Sequence, residues 1–155
     1  MNALTAPQVQ MKQPVVRPAH CSEEEWQLRC DLAECYHLID YMGWSETIFN
    51  HISARLPGPV HQYLVNPFGL NYIEITPANL LKVDLNGQKV DPSPYDANPA
   101  SFALHGALHE ARDDIRCIIH THTTPISAIM QKSKGFDNNN FYGAQLYGRV
   151  GYHTF

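Results

Sequence analysis

Several common signatures are missing from this chain, and each absence narrows what it does. No apolar run approaches the roughly 20 residues a membrane-spanning helix needs. The N-terminus has no apolar core of the kind a secretory leader carries. The 11 lysines and arginines are scattered and outnumbered by 15 acidic residues, giving a formal net charge of -4. That excludes the concentrated basic footprint of a nucleic-acid binder and offers no cationic face to a membrane. The four cysteines, Cys21, Cys30, Cys35 and Cys117, form no CxxC pair. They read as reduced thiols of a cytoplasmic protein, with Cys117 a small core residue. There is no glycine-rich phosphate loop, no GxSxG elbow, no HExxH helix and no internal repeat. A length of 155 residues fits one domain with its own core.

What is present is concentrated in Arg116-Cys117-Ile118-Ile119-His120-Thr121-His122. The apolar, β-branched run predicts a buried strand ending in two histidines one residue apart. Residues i and i+2 of a strand share a face, so His120 and His122 present their imidazoles side by side. Two such rings can share a divalent metal, zinc above all, although catalytic zinc normally takes three protein ligands. The competing reading is a hydrogen-bonded, metal-free pair at a polar strand end.

Residues 1–21, rich in Pro, Gln and Ala, are expected to be a flexible arm, with the folded domain spanning 22–155. Ser22 to Glu25 predicts a capping box. Leu28, Leu32, Cys35, Leu38, Ile39 and Met42 follow at helical spacing up to Gly43. Strands are expected over Asn50–Arg55 and Tyr63–Val65, the second stopped by Asn66-Pro67-Phe68-Gly69. Thr76-Pro77 opens a helical turn through Leu81. Lys82–Leu85 and Gln88–Val90 form a hairpin around Asn86-Gly87, which fits a type I′ turn. A helix from Ala100 to Arg112 turns Leu104, Ala107, Leu108 and Ala111 inward. After the His120 strand, a helix starts near Pro125 with Ile126, Ile129 and Met130 inward. Residues 134–140 are expected to be a mobile loop, and Val150 to Phe155 a last strand.

Further histidines and tyrosines carry weaker signals. His105 and His109 stand at i and i+4 on one helix face, as in helical zinc sites. Without a HExxH pattern they read as structural, His105 hydrogen-bonded inside and His109 nearer solvent. His37 reads as a surface or partly buried residue. Tyr142, Tyr147 and Tyr152 are candidate proton donors, yet most of the eight tyrosines should simply pack.

The order of motifs then resembles a known family. Gly43-Trp44, Asn50-His51-Ile52-Ser53-Ala54-Arg55, Asn66-Pro67-Phe68-Gly69-Leu70, Glu74-Ile75-Thr76, Val83-Asp84-Leu85-Asn86-Gly87, Asn98-Pro99-Ala100, Leu104-His105 and His120-Thr121-His122-Thr123 look like the class II aldolase and adducin N-terminal domain family. The likeness runs from about Cys30 to Phe155 and is closest to the adducin-like branch. It implies an α/β fold, a three-layer α/β/α domain with a mainly antiparallel central sheet. It also implies that the chain is C-terminally incomplete relative to the family, stopping before the stretch that supplies a third histidine ligand. His153 carries no motif match for that role.

In the family's aldolases the His-x-His pair binds a divalent metal, usually zinc, which polarises substrate oxygens during carbon–carbon cleavage. The resemblance therefore makes His120 and His122 metal ligands, with Zn the expected ion and Fe or Mn alternatives. The family's catalytic carboxylate falls at Ser101, which cannot accept a proton as a carboxylate does. The phosphate-binding positions fall at His51, Phe68, Gly69, Pro99 and Ala100, where only the glycine fits, leaving His51 and Gly69 as substrate-binding candidates. Three functions follow: a metal-dependent lyase acting on a small, non-phosphorylated carbonyl or carboxylate substrate; a non-catalytic adducin-like assembly module; or a non-haem iron enzyme. Family members commonly form tetramers, so a homo-oligomer is expected, with neither nucleic acid nor membrane as partner.

Overall fold

A computed structural model describes residues 15–153. The first helix, α1, covers Glu23–Tyr41. Ser22 caps it by accepting the Glu25 amide at 3.0 Å, and three glutamates in the first turn suit the positive end of the helix dipole. The expected capping box forms only this half. The Glu25 carboxylate is buried and instead accepts from Arg29 Nε and Lys82 Nζ, both at 2.9 Å. Burial pushes its carboxyl up, and the two cations outweigh that and leave it lowered. A buried carboxylate gains more from two charged donors than from one backbone amide.

Four antiparallel strands make the sheet: β1 (His51–Arg55), β2 (Gln62–Val65), β3 (Leu81–Asp84) and β4 (Cys117–His120), in the order β3-β2-β1-β4. Being an interior strand, β1 buries all five residues. Ile52, Ala54 and Leu64 face α1 and join Leu32, Ala33, Tyr36, Ile39, Tyr72 and Ile75 in one core. On the other face Tyr63, Val65, Leu81 and Val83 pack with Phe102 and Tyr95. A helical segment covers that second face: α2 (Pro99–Ser101), a π-helical stretch (Phe102–Gly106) and α3 (Ala107–Ala111). The expected α/β/α layering with an antiparallel centre is therefore the observed fold.

The Tyr36 hydroxyl pins α1 to the sheet. It accepts the amides of Ile52 and Asn66, each at 3.0 Å. Its single proton has the Ile52 carbonyl and Asn66 Oδ1 as acceptors. Residue 106 needs glycine for a different reason: a Cβ there would sit 2.5 Å from the Leu85 carbonyl oxygen.

Several local expectations are corrected. The 84–87 turn is not type I′, because Asn86 does not have positive φ; only Gly87 does, at 77°. Asp84 Oδ1 accepts the Asn86 and Gln88 amides at 2.9 Å each, and the Gly87 amide donates to the Asp84 carbonyl at 3.0 Å. That carboxylate selects a turn with a left-handed residue only at its end. The Thr76 turn stops at Asn79, because Asn79 Oδ1 accepts the Thr76 amide at 2.8 Å and Leu81 already belongs to β3. Sequence reading missed the 3-10 turn Tyr72–Glu74, whose Tyr72 is buried.

The second half of the chain departs further. β4 is an edge strand, so its apolar run is not buried: Cys117 and Ile119 are exposed. In α4 (Thr124–Met130) Ile126 and Met130 are exposed, and only Ile129 is half-buried. Residues 134–140 form neither helix nor strand, as expected of a loop, and the Phe136 amide there donates to the Tyr152 hydroxyl at 2.8 Å. α5 (Phe141–Gln145), capped by Asn140 Oδ1, was not anticipated because five residues show no period. Residues 150–153 are not a strand, and 154–155 lie outside the described residues. Of the expected arm, 1–14 lie outside them too, whereas Cys21 is buried. Among the described residues no helix is long and apolar enough to cross a membrane.

Tyr36→Phe should lower stability by about 1–3 kcal/mol, because two buried amides lose their acceptor. Urea unfolding measures it; a change below a few tenths would remove Tyr36 from its pinning role.

Candidate functional site

Strand register assembles the site. β1 and β4 pair His51 with His120, and cross-strand partners on one face lie within side-chain contact. Their rings stack at 4.6 Å with planes 11° apart. His122 folds back so that its Nε2 lies 2.5 Å from His120 Nε2. The other His122 nitrogen, Nδ1, faces Glu46 Oε2 at 2.5 Å. A carboxylate only accepts, so the His122 Nδ1 that faces Glu46 carries a proton. In the neutral Nδ1–H form of His122, the short N···N contact is an N–H donated by His120 Nε2.

This geometry bears on the metal. Tetrahedral ligands about 2.0–2.1 Å from zinc stand roughly 3.3 Å apart. The two nitrogens have converged on one point and need to part by about 0.8 Å to admit an ion between them. Two imidazoles, one oriented by a carboxylate, fit part of a divalent site. Among the described residues no three His, Cys, Asp or Glu side chains are arranged to hold a metal.

Behind the pair lies a buried polar layer that sequence reading mostly missed. His51 Nδ1 meets His105 Nε2 at 3.1 Å. His105 Nδ1 meets Ser53 Oγ at 2.8 Å, and Ser53 Oγ meets His109 Nε2 at 2.9 Å. The polar side of β1 thus meets the polar stripe Ser101, His105 and His109, all buried. Two expectations fall here. His109 is buried rather than near solvent, and Leu104, Ala107, Leu108 and Ala111 are exposed rather than inward. His105 is interior and hydrogen-bonded, as expected. The available signal was the alternation His51, Ser53, Arg55 on an interior strand, which demands a polar partner. Arg55 completes the layer by donating to the carbonyls of His109, Arg112 and Ile115 where α3 ends.

Burial sets the protonation of this layer. It lowers His51 to about 4, helped by His120 and His122. It lowers His105 to about 3, helped first by His51. It lowers His109 to about 4, with the Arg55 guanidinium adding and the Ile115 carbonyl opposing. His120 is lowered by burial and then by His122. All four are neutral at pH 7, and a neutral imidazole is the form that ligates metal.

Ser101 is fully buried, and its Oγ has no hydrogen-bond partner among the described residues. Near it the amides are already engaged: Ala100 donates to Asn98 Oδ1 at 3.0 Å and Ser101 to the Asn98 carbonyl at 2.9 Å. Pro99 has no amide proton. Phe68 is partly exposed and donates its amide to the Asp96 carbonyl at 2.8 Å, and Gly69 follows with φ 92°. Tyr142 and Tyr147 are exposed, and no hydrogen bond or ring contact among the described residues joins them to the histidine pair. Tyr152 is engaged with Phe136.

Comparison with known proteins agrees with this fold. The Class II Aldolase and Adducin N-terminal domain family matches residues 30–155, and the chain belongs to that family. A Pseudomonas aeruginosa protein assigned by name to the class 2 aldolases is 48% identical over 117 residues, covering 76% of this chain and 45% of that protein. Rat alpha-adducin is 40% identical over 130 residues, covering 83% of this chain and 18% of the adducin. The crystal structure of an aldolase II superfamily protein from Pseudomonas syringae superposes with a TM-score of 0.81 at 39% identity, covering 86% of this chain and 54% of that one. The chain thus spans about half the length of the aldolase-named relatives it matches.

The buried histidines make stability depend on pH. An unfolded imidazole takes its proton near 6.5, whereas folded His105 and His109 do so only near 3 and 4. Between these values the unfolded chain holds more protons, so stability is full above pH 6.5 and falls as pH drops toward 4. Each such histidine contributes a slope of about 1.4 kcal/mol per pH unit in that window. Urea midpoints should fall from pH 7 to pH 5, and His105→Gln should flatten the decline. Equal slopes in both proteins would show that His105 is not among the titrating groups.

Proposed function

We propose that this chain carries part of the metal site of an aldolase-type carbon–carbon lyase, acting on a small carbonyl or carboxylate compound without phosphate. The observation that carries this reading is the convergence of His120 Nε2 and His122 Nε2 to 2.5 Å, with Glu46 on the far nitrogen of His122. His120 and His122 would hold the ion, Zn first, Fe or Mn as alternatives. Bound there, it would act as a Lewis acid on a substrate carbonyl or hydroxyl oxygen. His51 contributes a neutral ring stacked on His120 and anchored by His105, and Gly69 a permissive backbone. The working unit in this reading is a homo-oligomer, since Leu104, Leu108 and Ile119 leave apolar surface exposed.

The absence of phosphate from the substrate rests on position. Where sugar-phosphate aldolases of the family bind phosphate, this chain has a buried, committed His51, a proline, and an alanine whose amide is spent on Asn98. A second reading, a non-catalytic adducin-like module, draws on Ser101, which sits buried where the family's aldolases carry their carboxylate.

Replacing His120 and His122 together by Ala should abolish stoichiometric zinc, iron or manganese retention after dialysis. Equal metal content in the native chain and the double variant would sink the ligand assignment, and no metal in either would favour the assembly module. The identity of the retained ion, with oxygen uptake when it is iron, separates a lyase from an iron oxygenase.

The purified chain should also fail to cleave phosphorylated ketoses such as fuculose or ribulose phosphates, and Ser101→Glu alone should not create that activity. The phosphate contacts that pre-position such substrates would still be missing. Robust turnover by the native chain would contradict the position matching.

A further inference from the structure

The segment between α1 and β1 places a carboxylate on the histidine pair, and sequence reading assigned it no role. Glu46 Oε2 lies 2.5 Å from His122 Nδ1 although the two residues are 76 apart in the chain. Three further features hold it there. The Glu46 amide donates to Asn50 Oδ1. The same Asn50, fully buried, reaches the His120 carbonyl with its Nδ2 at 3.4 Å, so one side chain ties the Glu46 segment to the end of β4. The Ser45 hydroxyl donates to Asp40 Oδ1 at 2.9 Å, fastening the same segment to the end of α1.

Backbone strain sits at the same place. Thr47, next to Glu46, has φ 45° and is the one non-glycine residue with positive φ among the described residues. A β-branched residue is strongly disfavoured there, because its Cβ substituents crowd the backbone. Such a conformation persists only where surrounding contacts over-determine it, and it concentrates at functional sites. Thr47 lies in the turn closed by the Phe49 amide donating to the Glu46 carbonyl at 3.1 Å, beside the contacts that aim Glu46 at His122.

We propose that Glu46 is the positioning carboxylate of this site. It fixes His122 in the tautomer with the proton on Nδ1, keeps the Nε2 lone pair directed at the point shared with His120, and holds the ring plane. The role differs from that of the family's acid/base carboxylate, whose position is Ser101: Glu46 acts through His122 and abstracts no proton from substrate. The proposal rests on the metal reading above for its purpose but not for its geometry. Carboxylates behind a ligating histidine raise its basicity and remove the freedom to present the wrong nitrogen.

The test uses the whole chain, metal-free, with nitrogen NMR of labelled histidines. In the native protein His122 should show a protonated Nδ1 and an unprotonated Nε2. Glu46→Ala should turn this into a mixture of tautomers while the His105 signals stay in place. Glu46→Gln, which keeps an acceptor but loses the charge, should fall between. Glu46 is partly exposed, so both variants are expected to fold, and circular dichroism checks it. Zinc titration of the same proteins should give a dissociation constant raised about 10–100-fold in Glu46→Ala. An unchanged His122 tautomer in Glu46→Ala overturns the proposal. A tautomer shift in a chain that binds no zinc even in native form leaves Glu46 as the positioning group and removes the metal reading instead.

Discussion

β1 is paired along both edges and packed on both faces, so each of its five side chains must be met by something of matching chemistry. Ile52 and Ala54 meet α1. His51, Ser53 and Arg55 meet the helical segment that begins at Pro99. Because the side-chain period of a strand is two, a one-residue slip would drive the three polar groups into the α1 core and the apolar ones onto the histidines. The same register sets His51 opposite His120. Fold and site therefore rest on one pairing, and a change that shifts β1 would disturb both.

Sequence pattern was enough where the period was long or the capping chemistry local. α1 shows a long apolar stripe and a serine cap, and its limits follow from them. The β1 and β2 strands and the adjacent histidine pair were legible for the same reason. The helical segment was not read correctly, because a stripe of Leu and Ala outside a stripe of Ser, His and His looks inside-out until the polar face of β1 is known. β4 misled in another way. Its Cys-Ile-Ile run has the composition of a buried strand, yet composition does not tell whether a strand lies inside a sheet or along its edge. Glu46 was invisible because nothing local joins it to His122; only the fold closes the 76-residue gap.

A buried layer of three histidines and a serine is a costly way to fill the space between sheet and helix, since each unpaired nitrogen costs more than a methyl group would. The cost is contained by neutrality. Burial removes the positive charge from His51, His105 and His109, and each link then needs one proton between two acceptors. Ser53 has a single hydroxyl proton between His105 and His109, so the direction of one link dictates the next. Such a chain specifies a unique arrangement of rings more tightly than an apolar filling does. His51 lies at its end, and His51 is the ring on which His120 stacks.

The direction of these protons bears on how the pair at the surface works. If His122 is the neutral ring with its proton on Nδ1 toward Glu46, its Nε2 is an acceptor, and His120 donates from Nε2 across the 2.5 Å contact. His120 is then in the tautomer unsuited to binding through Nε2. In the metal reading proposed above, His120 would have to carry its proton on Nδ1 instead of Nε2, and His122 would need no change. The two histidines are thus unequal before anything binds: His122 is fixed by a charged neighbour, and His120 is held by stacking and by a hydrogen bond that an incoming cation would displace. In that reading His122 would offer the first lone pair once that bond opens, and His120 would follow.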